Sequence, residues 1–87
     1  MFVIIVYDVS VDRVSKVCNF LRRYLNWVQN SVFEGNVTEK QWAEIKHGLK
    51  LLTRESEDSV RLYSFRTEDL VTVSVIGVEK GDTCNII

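Results

Sequence analysis

Phe2-Val3-Ile4-Ile5-Val6-Tyr7-Asp8 is an unbroken apolar and aromatic run closed by a carboxylate. β-branched residues dominate it, and its length suits a strand covered on both faces rather than a half-exposed one. Such a strand belongs in the centre of a sheet. Phe2, Ile4 and Val6 alternate with Val3, Ile5 and Tyr7, so both faces carry an apolar row, and Asp8 shares the parity of Ile4 and Val6.

Downstream of this strand, Ser10 offers an N-cap and Asp12 a favourable charge in a first helical turn. Val14, Val17, Cys18, Leu21 and Leu25 then recur at helical spacing, and Arg22 and Arg23 suit the helix's C-terminal end. From Trp27 to Phe33 the chain is β-rich, and the polar break Gln29-Asn30-Ser31 allows one kinked strand or two short ones. Gly35-Asn36 predicts a turn, with Glu34 closing the strand before it. Thr38 and Gln41 form a capping box, flanked by Val37 and Trp42 at the positions of a hydrophobic staple. Trp42, Ile45, Leu49 and Leu52 continue that second helix as an apolar stripe. A charged loop over residues 54–58 leads to a strand from Ser59 to Phe65. Val71, Val73 and Val75, alternating with Thr72, Ser74 and Ile76, predict a further strand near the C-terminus.

Strand, helix, strand or strand pair, helix, strand, strand describes an α+β domain of the ferredoxin-like sandwich type. Its two helices lie on one face of a mostly antiparallel sheet, and it ends in a C-terminal strand. Residues 1–78 form the domain and residues 79–87 a tail. Two helices cover only one sheet face, while strand one is apolar on both. A second copy packed through the other face is the economical cover, so the pattern predicts a homodimer.

The chain has 87 residues, 46% of them hydrophobic, which matches one modest core. Its net charge of -1 gives no bulk electrostatic sign of a nucleic-acid partner, so any such contact needs a local patch. Arg13, Lys16, Arg22 and Arg23 make the first third locally basic, whereas Glu55, Glu57, Asp58, Glu68 and Asp69 make the later loops acidic. The N-terminal run lacks a basic leader and meets a charge early, so a cytoplasmic protein without a membrane segment is expected. Cys18 and Cys84 have no metal-ligand spacing, and Cys18 is expected as a small core residue.

Asp8 is the main candidate for chemistry. If the Ile4 and Val6 face meets a partner, two copies of Asp8 approach the dyad, where paired carboxylates call for a cation. A hard divalent ion, Mg²⁺ by preference, fits such oxygen ligands and could polarise a phosphate or activate water. An Asx turn between strand and helix is the plainer use of the same residue. His47 falls on the polar side of the second helix, without a second ligand at metal spacing. Tyr7 and Phe33 could stack bases, with core packing as their default, and Arg13 and Lys16, one helical step apart, could meet phosphate. No P-loop, G-x-G-x-x-G, Ser-His-Asp set or zinc motif is present.

The segments Tyr7-Asp8-Val9-Ser10, Trp27-Val28-Gln29-Asn30-Ser31-Val32-Phe33-Glu34-Gly35 and Asp58-Ser59-Val60-Arg61-Leu62-Tyr63, in this order with Ile76-Gly77 after them, resemble the CRISPR-associated protein 2 family. The likeness covers most of Phe2 to Val78. It implies a homodimer that serves spacer acquisition by bridging two dimers of the CRISPR-associated protein 1 integrase. It also implies a metal-dependent endonuclease activity on single-stranded RNA or double-stranded DNA. Asp8 matches the family's metal-binding aspartate, while Tyr7, Arg13 and Phe33 lie at or near positions linked with activity. Trp27 stands where many relatives carry Arg, so packing or stacking replaces a phosphate contact there. The resemblance further implies a C-terminal segment that pairs with the partner subunit. A non-catalytic adaptor and a toxin-like ribonuclease on the same fold remain the competing readings.

Overall fold

The computed structural model describes residues 1–78. In chain order these form β1 (Phe2–Asp8), α1 (Val11–Leu21), β2 (Asn26–Gln29), β3 (Val32–Asn36), α2 (Glu39–Leu52), β4 (Ser59–Phe65) and a short 3₁₀ turn at Glu68–Leu70. The strands make one sheet in the order β2-β3-β1-β4, and each neighbouring pair is antiparallel. β1 is therefore central, as its two-sided apolar run predicts, and β3 lies between the parallel strands β1 and β2. That is the split β-α-β arrangement of a ferredoxin-like sandwich.

Side-chain parity decides what the sheet offers on each side. Val3, Ile5 and Tyr7 of β1 and Phe33 of β3 face the helices and pack with Val17, Cys18 and Leu21 of α1 and with Trp42, Ile45 and Leu49 of α2. Among the described residues the opposite face is bare of any helix, with only Phe2 at its edge buried, against Phe65. It carries Ile4, Val6 and Asp8 of β1, with Tyr63, Arg61 and Ser59 of β4 as their cross-strand partners and Glu34 and Val32 of β3 beside Ile4 and Val6. Val6 is 37% exposed and Tyr63 41%, so large apolar groups stand in solvent on this face of a single protomer.

Both helices start where their caps predict. The Ser10 hydroxyl accepts from the Asp12 N–H. Thr38 and Gln41 complete their reciprocal box, with the Thr38 N–H donating to Gln41 Oε1 at 3.0 Å and the Gln41 N–H to Thr38 Oγ1 at 3.1 Å. The helices touch through Phe20 and Gly48, where a Cβ on Gly48 would stand 2.2 Å from Phe20 Cζ. Only glycine fits under that ring.

The stretch around Asn30 resolves into two strands. Asn30 has φ 44°, a left-handed conformation that Asn tolerates, and Trp27 Nε1–H donates to the Asn30 carbonyl at 2.9 Å, clipping the hairpin from inside. A register shift between Trp27 and Gln29 supplies the kink.

Two expectations are corrected. Gly35-Asn36 is not a turn but the end of β3, and Glu34 sits inside that strand. The glycine serves close packing instead, because a Cβ there would meet Leu25 Cδ2 at 3.1 Å. The C-terminal strand predicted over residues 71–76 joins no sheet among the described residues. Its alternation marks a segment able to pair, but a strand needs a second backbone, and within one protomer this segment meets none. Val73, Val75 and Val78 instead border a cleft of about 180 Å³ with Trp27, Val28 and Glu34. The tail at 79–87, with its expected pairing to a partner subunit, lies outside the described residues.

Candidate functional site

Asp8 ends β1 on the bare face, exposed, with Ser59 as its cross-strand partner. The strand stops there because the next residues turn into α1, and that turn is tightly held. Val9 is buried at 7% exposure, which points the chain back into the core between Asp8 and Ser10. The Ser10 N–H donates to Asp58 Oδ1 at 3.0 Å, so the Asp8–Ser10 turn is fixed from the α2–β4 loop rather than by Asp8's own side chain.

Asp58 is the hub of this region. Its Oδ2 accepts from Arg13 Nε at 2.6 Å and from the Arg54 N–H at 2.8 Å, while Oδ1 accepts from Arg13 Nη2 at 2.9 Å besides Ser10. Arg13 Nη2 also donates to Glu57 Oε1 at 3.0 Å. The side chain of Asp58 is 1% exposed and that of Arg13 14%, so this two-pronged pair is screened by little water. The Arg13 hydrogen bonds hold the Asp58 carboxyl well below the usual carboxylate range against the opposing effect of desolvation, with help from the Ser10 and Arg54 N–H groups. Bonds to Asp58 and Glu57 push the Arg13 guanidinium above its ordinary value.

A carboxylate with a depressed folded-state pKa stabilises the fold above its unfolded pKa of about 3.9 and loses that contribution as pH falls through the folded value. The melting temperature of the wild-type chain is therefore expected to drop steeply below about pH 4. In Asp58→Asn the melt at neutral pH should be lower and the acid slope shallower. Scanning fluorimetry from about pH 2 to 7 measures both, and parallel curves for the two proteins would contradict the assignment.

Of the other candidates, the structure brings Arg13 into this cluster but turns its guanidinium inward. Tyr7 and Phe33 stack on each other with ring centroids 6.2 Å apart, at 3% and 0% exposure, so both serve the core and neither ring presents a face to a base. The Tyr7 hydroxyl is buried with no hydrogen-bond partner among the described residues, and burial raises its pKa. Lys16 lies away from Asp8. It borders a groove of about 460 Å³ between the helices, with Phe20, Arg23, Gly48 and Leu51. His47 is exposed on α2. Among the described residues, no group of three or more His, Cys, Asp or Glu side chains could hold a metal ion. One protomer thus offers Asp8 alone at the strand end. No described helix is long and apolar enough to cross a membrane.

Asp58 as the organiser of the turn was not legible beforehand. It is 45 residues from Arg13 and 48 from Ser10. The nearest signal was an aspartate placed directly before a strand, inside a loop otherwise read as solvated charge.

The family model described as CRISPR associated protein Cas2 matches residues 1–73. A protein of Methanosarcina acetivorans named CRISPR-associated endoribonuclease Cas2 is 52% identical over 87 residues, covering 100% of both chains. One of the same name from Pyrococcus furiosus is 48% identical, again over 100% of both. A solved structure titled as a crystal structure of Cas2 superposes with a TM-score of 0.84 at 42% identity, covering 100% of this chain and 98% of the other. Streptococcus pyogenes Cas2 superposes at 0.77 with 34% identity, over 88% of this chain and 100% of the other.

Proposed function

Because the chain belongs to the CRISPR associated protein Cas2 family, we propose that it is a metal-dependent endonuclease of CRISPR defence, working as a homodimer in the cytoplasm. Its substrates are single-stranded RNA, as the names of its relatives support, or double-stranded DNA. The observation that carries this reading is the position of Asp8. It is exposed at a strand end, on the bare sheet face, in line with the apolar Ile4 and Val6.

One carboxylate does not make a metal site. Two copies related by a dyad supply two, and Mg²⁺ accepts such a sparse set because it keeps several of its waters. The donor chemistry of Asp8 therefore fits a shared ion, since among the described residues of one chain no group of three or more such ligands could hold one. A cation bound there supplies charge to a phosphodiester oxygen and lowers the pKa of a bound water. The protein's own part is to fix both carboxylates and to hold the nucleic acid across the dyad.

The same dimer supports a second reading, an adaptor that bridges two dimers of the CRISPR-associated protein 1 integrase during spacer acquisition and binds DNA without cutting it. That reading is favoured by the lone carboxylate, and by the buried placement of Tyr7 and Phe33, which leaves few groups for chemistry.

Incubation of purified protein with labelled single-stranded RNA and with duplex DNA separates the two. Cleavage of at least one substrate in Mg²⁺, lost in EDTA and restored by excess Mg²⁺, is the expected result. Cleavage that persists in EDTA would remove the metal from the mechanism. Firm duplex binding without cleavage of either substrate would make the chain an adaptor.

A further inference from the structure

The Ser10–Asp58 hydrogen bond closes a ring that includes Asp8, and Arg13 braces it through Asp58. Asp8 leads through Val9 to Ser10, whose N–H is held by Asp58 Oδ1 at 3.0 Å. Asp58 leads in the other direction to Ser59, the cross-strand partner of Asp8. One carboxylate thus holds the backbone two residues after Asp8 while its own chain continues into the strand paired with Asp8, and Arg13 and the Arg54 N–H fill its remaining acceptor positions. Each Asp58 oxygen accepts two donors, which uses the full capacity of the group.

We infer that Asp58 is a positioning residue for Asp8, and that Arg13 acts on the site by holding Asp58 rather than by contacting a phosphate. This rests on the reading of Asp8 as a metal-binding carboxylate. Arg13 Nε and Nη2 make a two-pronged contact with Asp58, and Nη2 reaches Glu57 as well. A phosphate taking that fork would strip a buried carboxylate of its charge partner, an exchange that a low-dielectric site resists. Support of this kind normally governs a ligand's orientation, and its removal weakens metal binding about 10- to 100-fold.

The test uses the full-length protein as Arg13→Ala, Asp58→Asn, the double variant and Arg13→Lys. Mg²⁺ affinity is read by calorimetry, Ser10 amide exchange by NMR, the salt dependence of RNA binding by titration, and Mg²⁺-dependent cleavage at saturating RNA. Arg13→Ala and Asp58→Asn are each expected to lose about tenfold in Mg²⁺ affinity and in maximal cleavage rate, and the double to lose no more than either. Ser10 exchange should accelerate in all three, and the salt slope of RNA binding should stay at the wild-type value. Arg13→Lys, which keeps the charge without the fork, guards against simple misfolding and should lose part of the Mg²⁺ affinity.

Two results would overturn the inference. One is a salt slope reduced by about one contact in Arg13→Ala but not in Asp58→Asn, the mark of a direct phosphate contact. The other is additive losses in the double variant, which would mean that the two residues act separately. A wild-type protein that binds Mg²⁺ without cutting would end the nuclease reading alone, since the positioning of Asp8 is still measured by Mg²⁺ affinity. A wild type that does not bind Mg²⁺ overturns both.

Discussion

Asp8→Asn is expected to reduce Mg²⁺-dependent cleavage roughly 100-fold or more while leaving the fold and the dimer intact. The substitution is nearly isosteric and the side chain is exposed at the end of β1, so it breaks no packing and no strand pairing. Stability should therefore change by less than about 0.5 kcal/mol, as for other surface substitutions. In a homodimer one codon change removes both carboxylates at once, so the proposed cation loses its anionic ligands on both sides of the dyad. A bound metal contributes several kcal/mol to a charged transition state, and each step of about 1.4 kcal/mol is tenfold in rate. Single-turnover cleavage of end-labelled RNA measures the loss, and calorimetric melting with sedimentation confirms the intact dimer. Undiminished cleavage by a well-folded variant would take Asp8 out of the mechanism.

How much of this was legible in the sequence differs by element. β1, both helix starts and β4 were readable because local signals agreed with the final packing. The apolar run fits a central strand, Ser10 and Thr38 sit at real caps, and β4 spans the residues its composition indicates. Where a residue's role depends on a distant partner, local reading failed. Gly35 resembles turn chemistry, yet what crowds a larger residue there is Leu25, packed at 3.1 Å from where a Cβ would stand. Arg13 resembles a phosphate ligand on a basic helix face, yet a carboxylate 45 positions away engages it. The valines from Val71 to Val75 alternate as a strand does, but alternation states only that a segment can pair, not that its own chain supplies the partner.

The candidate site shows the same division. The place of Asp8, exposed at the end of β1 in line with Ile4 and Val6, was readable from parity and position, both local properties of one strand. Its support was not, because Asp58 gains its role only when the α2–β4 loop is brought beside the start of α1. Tyr7 and Phe33 are buried against each other, so neither ring is available for base stacking. The locally basic first third also separates in space. Arg13 turns into the Asp58 cluster, while Lys16 and Arg23 border the groove between the helices.

Val6→Asp is expected to convert the proposed dimer to a monomer at micromolar concentration without unfolding the protomer. Val6 lies on the bare face two residues before Asp8, between Val32 of β3 and Arg61 of β4. At 37% exposure in the protomer, a carboxylate at this position can reach water, and Arg61 opposite offers a cross-strand ion pair that offsets part of the lost apolar contact. In a dimer closed through this face the same carboxylate is buried and stands near its symmetry mate and both copies of Asp8. Burying a charged pair costs more than its attraction returns, like charges brought together at the dyad add to that cost, and the interface bears it twice because the dyad repeats every contact. A standard interface buries about 800 Å² per partner, and its affinity does not survive such a penalty at its centre. Leu51→Asp, on α2 at 73% exposure, is the control and should remain dimeric. Sedimentation equilibrium of the three proteins decides the matter: a dimeric Val6→Asp would show that the bare sheet face is not the interface. The shared site at Asp8 would then lose its geometric basis, since only pairing through that face brings the two carboxylates together.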